Sequence, residues 1–150
     1  MNSFATDITI NAPIEKVWET LADIGTIYKW NPGVIDSYTT SEGEIGLGST
    51  RYCDLGGKNF LDEQVVTFSQ NEAITMRITG TNMPFETADI RFTLKEQNKG
   101  THVTVSPEYK LKYGLVGRML DKAFVARTYE KGMGNLLAGL KEFIEKEEVG

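Results

Sequence analysis

The chain predicts an α+β fold: a curved antiparallel sheet of about seven strands wrapped around one long C-terminal helix, with two short helices after the first strand. Three observations carry this. Residues 4–10 alternate apolar and polar side chains and are followed by a short amphipathic segment. Between about residue 34 and residue 111 lie six strand-like segments parted by tight-turn residues. After Tyr113-Gly114 the apolar period lengthens from two to about 3.6. Short connections favour antiparallel neighbours, and a strongly curved sheet around a single helix leaves a hollow between them.

Each element has its own cause. Phe4, Thr6, Ile8 and Ile10 share one face of the first strand, and Asn11-Ala12-Pro13 stops it. Pro13 suits a first helical turn, where its missing N–H costs nothing. Ile14, Val17, Trp18 and Leu21 recur at helical spacing, which predicts a helix over 13 to about 23 and a second helical piece over Ile24 to Tyr28. Strands are expected at about 34–41, 49–55, 59–69, 73–80, 85–96 and 101–111. Gly56-Gly57 and Asn98-Lys99-Gly100 read as hairpin turns, Gln70-Asn71 as a polar turn and Asn82-Met83-Pro84 as a corner. The loop Gly43-Glu44-Ile45-Gly46-Leu47-Gly48 lacks the lysine and helix of a phosphate loop, so it is a turn between strands or a gate over the hollow.

A final helix over about 115–147 carries the stripe Met119, Ala123, Ala126, Tyr129 or Glu130, Met133, Leu137, Leu140 and Ile144. Gly132, Gly134 and Gly139 inside it each cost about 1 kcal/mol relative to alanine, and so require close packing or room for a ligand.

Composition narrows the function classes. The 150 residues suit one domain, 1–150, with a core of its own. A net charge of −5 without a Lys/Arg cluster opposes nucleic-acid binding. Cys53 is the only cysteine, so neither an intramolecular disulfide nor a multi-cysteine zinc site can form, and no metal-ligand spacing is seen. No apolar run of the roughly 20 residues that span a membrane is present, and the N-terminus has no signal-peptide pattern, so a cytoplasmic protein is the expectation.

Strand phase selects the residues that would face the hollow. Val66 and Phe68 supply wall from one strand, Met76 and Ile78 from the next, and Ala88, Ile90 and Phe92 from the next. Extending that last register back places Glu86 on the same face, where a lone carboxylate would have a raised pKa; the alternative is that it lies solvated near the strand end. Val105 and Tyr109 face inward on the last strand, while His102 faces out beside a hairpin turn. The phase of 49–55 stays open, so Tyr52 is a candidate for the hollow, and Cys53 is either a core filler or a nucleophile without a base. Arg77 and Arg91 fall on the solvent face. Trp30 either fixes a corner with Pro32 or lines the mouth, where Met83 and Pro84 also sit, and Met119 and Met133 contribute from the helix.

The string Ile10-Asn11-Ala12-Pro13-Ile14-Glu15-Lys16-Val17-Trp18, followed by Asp23, Trp30-Asn31-Pro32 and the late long helix, resembles the SRPBCC superfamily over essentially the whole chain, and its bacterial polyketide cyclase/dehydrase group in particular. The resemblance implies the helix-grip fold shared with START-domain proteins. It also implies one of three functions. The first is a module that holds a small hydrophobic or amphipathic molecule without a cofactor, oriented by Glu86, Tyr109 and Tyr52. The second is a cyclase/dehydratase-type enzyme acting on an aromatic or polyketide-like substrate, with Glu86 as acid/base and Tyr109 as donor. The third is a macromolecular interaction module, and a homodimer is an assembly open to any of them.

Overall fold

The computed structural model describes residues 2–112 and 122–149. The expected start of the final helix at about residue 115 and the expectation for Met119 fall outside the described residues. Strands β1 (Asn2–Ser3) and β2 (Thr6–Ile10) are followed by helix α1 (Ile14–Ala22) and a 3-10 turn (Ile24–Lys29). Then come β3 (Asp36–Thr39), β4 (Thr50–Gly56), β5 (Asn59–Ser69), β6 (Ala73–Thr81), β7 (Phe85–Gln97) and β8 (Gly100–Leu111), and the long helix α2 (Lys122–Val149) closes the chain.

The sheet is antiparallel in the order β1-β8-β7-β6-β5-β4-β3, and β2 pairs with β8 alongside β1. The single first strand expected from the alternation is therefore broken in two between Ser3 and Thr6, with the Phe4 N–H still donating to Pro107 O. From β3 to β8 each strand pairs with the next, as the short turns predicted. The Gly56-Gly57 turn runs through positive φ at both glycines and at Lys58, which the lack of a Cβ makes easy for the first two.

Register shifts interrupt the β5–β6 pairing at Asp62/Glu63, where Thr79 of β6 is the extra residue, and at Val65/Thr67, where Val66 of β5 is, and the β7–β8 pairing at Phe85/Thr87, where Glu86 of β7 is. An extra residue bends a strand and sharpens its twist, so these shifts lie where the sheet must curl. Each also reverses which side chains point inward, but only on the strand that carries the extra residue.

The core joins α1, the 3-10 turn, the inner sheet face and the C-terminal half of α2. Leu136, Leu137, Leu140 and Ile144 are buried, whereas Phe124, Thr128 and Gly132 nearer the start of α2 are exposed. The helix is thus held tightly at its C-terminal half and stands off from the sheet at the other. The Asn11 N–H donates to Glu145 Oε2 at 2.8 Å, Lys141 Nζ donates to Thr9 O at 2.8 Å, and Lys16 pairs with Glu147 at 3.2 Å. Gly139 lies where α2 crosses the Trp30-Pro32 corner, too close for a Cβ beside the Trp30 carbonyl. The structural reading of Trp30 is the one observed: it is buried at that corner.

Candidate functional site

Where α2 stands off from the sheet there is a hollow of about 420 Å³. Its wall is overwhelmingly apolar. Met76 and Ile78 of β6, Ile90 and Phe92 of β7, and Val125, Met133 and Leu136 of α2 face it, with Leu55, Leu61, Ile27 and Val34 completing the sides. Asn31, Gly33, Met83, Pro84, Phe124, Thr128 and Gly132 also border it, and most of these are at least partly exposed, which marks the rim. Phe124 is 61% exposed there. Gly132 has open space where a Cβ would be, so two of the helix glycines have different causes: room at Gly132 and close packing at Gly139.

The polar part of the wall is concentrated on β4 and β5. Arg51 and Glu63 are register partners across these strands, only 6% and 2% exposed, and Arg51 Nε lies 2.9 Å from Glu63 Oε1. Arg51 Nη1 also donates to Ile24 O at 3.0 Å, tying the pair to the 3-10 turn. The Cys53 thiol donates to the same Glu63 Oε1 at 3.6 Å. Among the described residues, Glu63 Oε2 and Arg51 Nη2 have no hydrogen-bond partner, although both side chains line the hollow. Tyr129, the next polar group on the wall, sits on α2 in edge or tilted contact with Phe4, Phe85 and Tyr109.

The electrostatics follow from burial. Burial works to lower the Arg51 pKa, but the Glu63 carboxylate and Cys53 beside it leave the guanidinium above its ordinary value. Burial pushes the Cys53 thiol up to about 12; Arg51 opposes this and Glu63 adds to it. Tyr129 is raised by burial first and then by the Glu63 charge. The hollow therefore offers a fixed ion pair, a protonated thiol and a protonated phenol, and among the described residues the charges of its lining side chains cancel.

Of the residues selected from strand phase, Met76, Ile78, Ile90 and Phe92 line the hollow, and so does Met133 from the helix stripe. Ala88 and Tyr109 point inward but are packed with Leu111 in a neighbouring apolar cluster, where Tyr109 is 3% exposed. Val105 is buried in the main core away from the hollow, and Phe68 packs on Trp18. Trp30 borders only a void of about 10 Å³ and an outer groove, so it is not a mouth residue of the hollow.

Three expectations are corrected. Glu86 does not reach the hollow: the register shift at the start of β7 turns Phe85 inward, and Glu86 is exposed, paired with Lys110 at 3.2 Å. Val66 sits at the β5 shift, and Val65, which pairs with Met76, takes the inward place. Tyr52 lies on the outer face, 5.3 Å from the Tyr38 ring and 6.1 Å from the Phe60 ring. The loop 43–48 does not border the hollow; Gly48 N and Gly46 N anchor it to Val65 O and Ser49 Oγ, as in an ordinary turn. His102 faces outward, near Asp7 and Thr9, and Arg77 pairs with Asp89 on the outer surface.

Strand phase alone missed Glu63. The signal was the hairpin: a turn at Gly56-Gly57 sets residue 51 opposite residue 63, one positive and one negative. Among the described residues no group of acidic, cysteine or histidine side chains could hold a metal ion, and no helix is long and apolar enough to cross a membrane.

Comparison with known structures places this geometry. XoxI from Bacillus cereus superposes with a TM-score of 0.81 at 16% identity, covering 99% of each chain. A START superfamily protein from Mycobacterium smegmatis gives 0.81 at 16%, covering 96% of this chain and 97% of the other. The protein Ara h 8.0201 gives 0.76 at 14%, covering 97% and 98%. At such identities the likeness shows the fold, which is the helix-grip fold of START-like proteins. No curated protein matches in sequence. Residues 1–145 match the family model described as polyketide cyclase / dehydrase and lipid transport, and the chain belongs to that family.

Proposed function

We propose that this chain, acting as a single domain, binds a small hydrophobic or amphipathic molecule in the hollow between the sheet and α2. The observation that carries the proposal is the hollow itself: its volume of about 420 Å³ falls in the range of ligand cavities, and its described wall is mostly apolar, with Arg51, Glu63, Cys53 and Tyr129 as polar groups inside and Asn31 and Thr128 at the rim. Apolar surface supplies affinity and the polar groups of Arg51, Glu63 and Tyr129 orient the guest, in place of Glu86, Tyr109 and Tyr52. Native mass spectrometry of the purified protein, with extraction of any bound molecule, is the first test. The second is titration with the neutral apolar dye N-phenyl-1-naphthylamine. Ile78→Trp, which grows into the hollow, should abolish dye binding while the fold persists; unchanged binding in that variant counts against the site.

A second reading, a cyclase/dehydratase-type enzyme, is favoured by the family description and by Glu63 and Tyr129 lining the same hollow. A carboxylate beside an enclosed guest is placed to take or give a proton, and enclosure would hold a flexible substrate in one shape. Incubation with a linear poly-β-ketone, followed by mass spectrometry for loss of water, tests it. Turnover that Glu63→Gln abolishes supports the enzyme; intact substrate leaves the binding reading alone.

A further inference from the structure

We infer that the hollow selects neutral, largely apolar molecules carrying a hydroxyl group, and rejects carboxylates and other anions of the same size. This rests on the binding reading above and names the class of guest.

Arg51 and Glu63 are the charged side chains of the hollow's lining among the described residues, and each already neutralises the other at 2.9 Å. A lone buried arginine would be a carboxylate receptor. Here the guanidinium is committed through Nε to Glu63 and through Nη1 to the Ile24 carbonyl. A guest carboxylate would therefore bring a second negative charge beside Glu63, which is only 2% exposed and so poorly screened by solvent. A guest cation would meet the same objection from Arg51.

What remains is one wholly unpaired acceptor atom and one wholly unpaired donor atom. Glu63 Oε2 and Arg51 Nη2 have no partner among the described residues, on side chains that face an otherwise greasy space. A hydroxyl is the smallest group that answers both, donating to the carboxylate oxygen and accepting from the guanidinium. Tyr129 lines the same hollow from α2 and adds a further hydroxyl to its polar wall. A guest with no polar group leaves these atoms unmet, which is how a polar site discriminates most strongly.

The test compares 2-naphthol with 2-naphthoate, matched in ring and differing in charge, by isothermal titration at pH 7 on the full chain. The wild type should bind the naphthol roughly tenfold or more tightly than the naphthoate. Glu63→Gln removes the opposing charge and should reverse the order, because Arg51 then has no anionic partner. The double variant Arg51→Met/Glu63→Leu, which removes the pair with little change in volume, should bind naphthol more weakly and lose the preference between the two. Equal affinities in the wild type, a wild-type preference for naphthoate, or an unchanged order in Glu63→Gln would overturn the inference. Failure of the wild type to bind either compound or the neutral dye would instead overturn the binding reading on which it rests.

Discussion

Arg51 and Glu63 stand directly opposite each other on β4 and β5, joined Nε to Oε1 at 2.9 Å, with both side chains facing the hollow and almost no exposure to bulk solvent. Breaking such a pair from one side leaves a buried charge without compensation, at about 3–5 kcal/mol. Glu63→Leu should therefore lose stability of that order in urea unfolding. Arg51→Met/Glu63→Leu should recover most of it, since no charge is left behind. Losses in Arg51→Met and Glu63→Leu that simply add in the double variant would contradict this coupling.

Two glycines of α2 should respond oppositely to alanine. At Gly139 the new methyl meets the Trp30 carbonyl, with Pro32 Cδ 3.0 Å away, and neither the backbone nor the ring yields easily. At Gly132 there is open space, and the better helix former should add roughly 1 kcal/mol, or about 2–4 °C in Tm. Thermal unfolding of Gly139→Ala should show a clear loss and that of Gly132→Ala a small gain. The same sign at both positions would contradict the packing described.

Glu86 and Lys110 form an exposed pair on the outer face. Such pairs contribute about 0–1 kcal/mol, so Glu86→Gln should leave both stability and dye binding close to wild type. A loss of binding in that variant would return Glu86 to the site.

Cys53 is 1% exposed and its thiol is pushed up to about 12 by burial, with Arg51 opposing. It should resist alkylation by iodoacetamide at pH 8 in the folded protein and react fully in denaturant. Rapid labelling of native protein would show a thiolate that this geometry does not provide.

The Glu145 carboxyl accepts from the Asn11 N–H and from Lys141, and these bonds hold its pKa below the usual glutamate value. A depressed folded pKa means stability that is present above the unfolded value of about 4.3 and is lost as pH falls through the folded one. The stability difference between wild type and Glu145→Gln should thus be largest near neutrality and shrink below about pH 4. A difference that grew on acidification would reverse the assignment.

Most of the fold was legible because period and turn chemistry are local: Gly56-Gly57, Asn98-Lys99 and the shift to helical spacing each announce themselves within a few residues. The site was less legible because inward phase propagates along a strand, and a single extra residue reverses it. Ile90 and Phe92 were read correctly from the regular part of β7, and Glu86 was lost beyond the shift at Phe85. Likewise Phe68 points inward beyond the β5 shift, while Val65 and Glu63 do so before it. Nothing in an alternating pattern says where a sheet must bend. Trp30 illustrates another limit: its role depends on Gly139, which is distant in sequence and meets it only through the packing of α2.

The most direct test of the whole account is a crystal structure of the protein grown with 2-naphthol. The ring should lie among Met76, Ile90, Phe92 and Met133, with the hydroxyl against Arg51 and Glu63. A closed interior between sheet and α2, or a naphthol bound only elsewhere on the molecule, would contradict it.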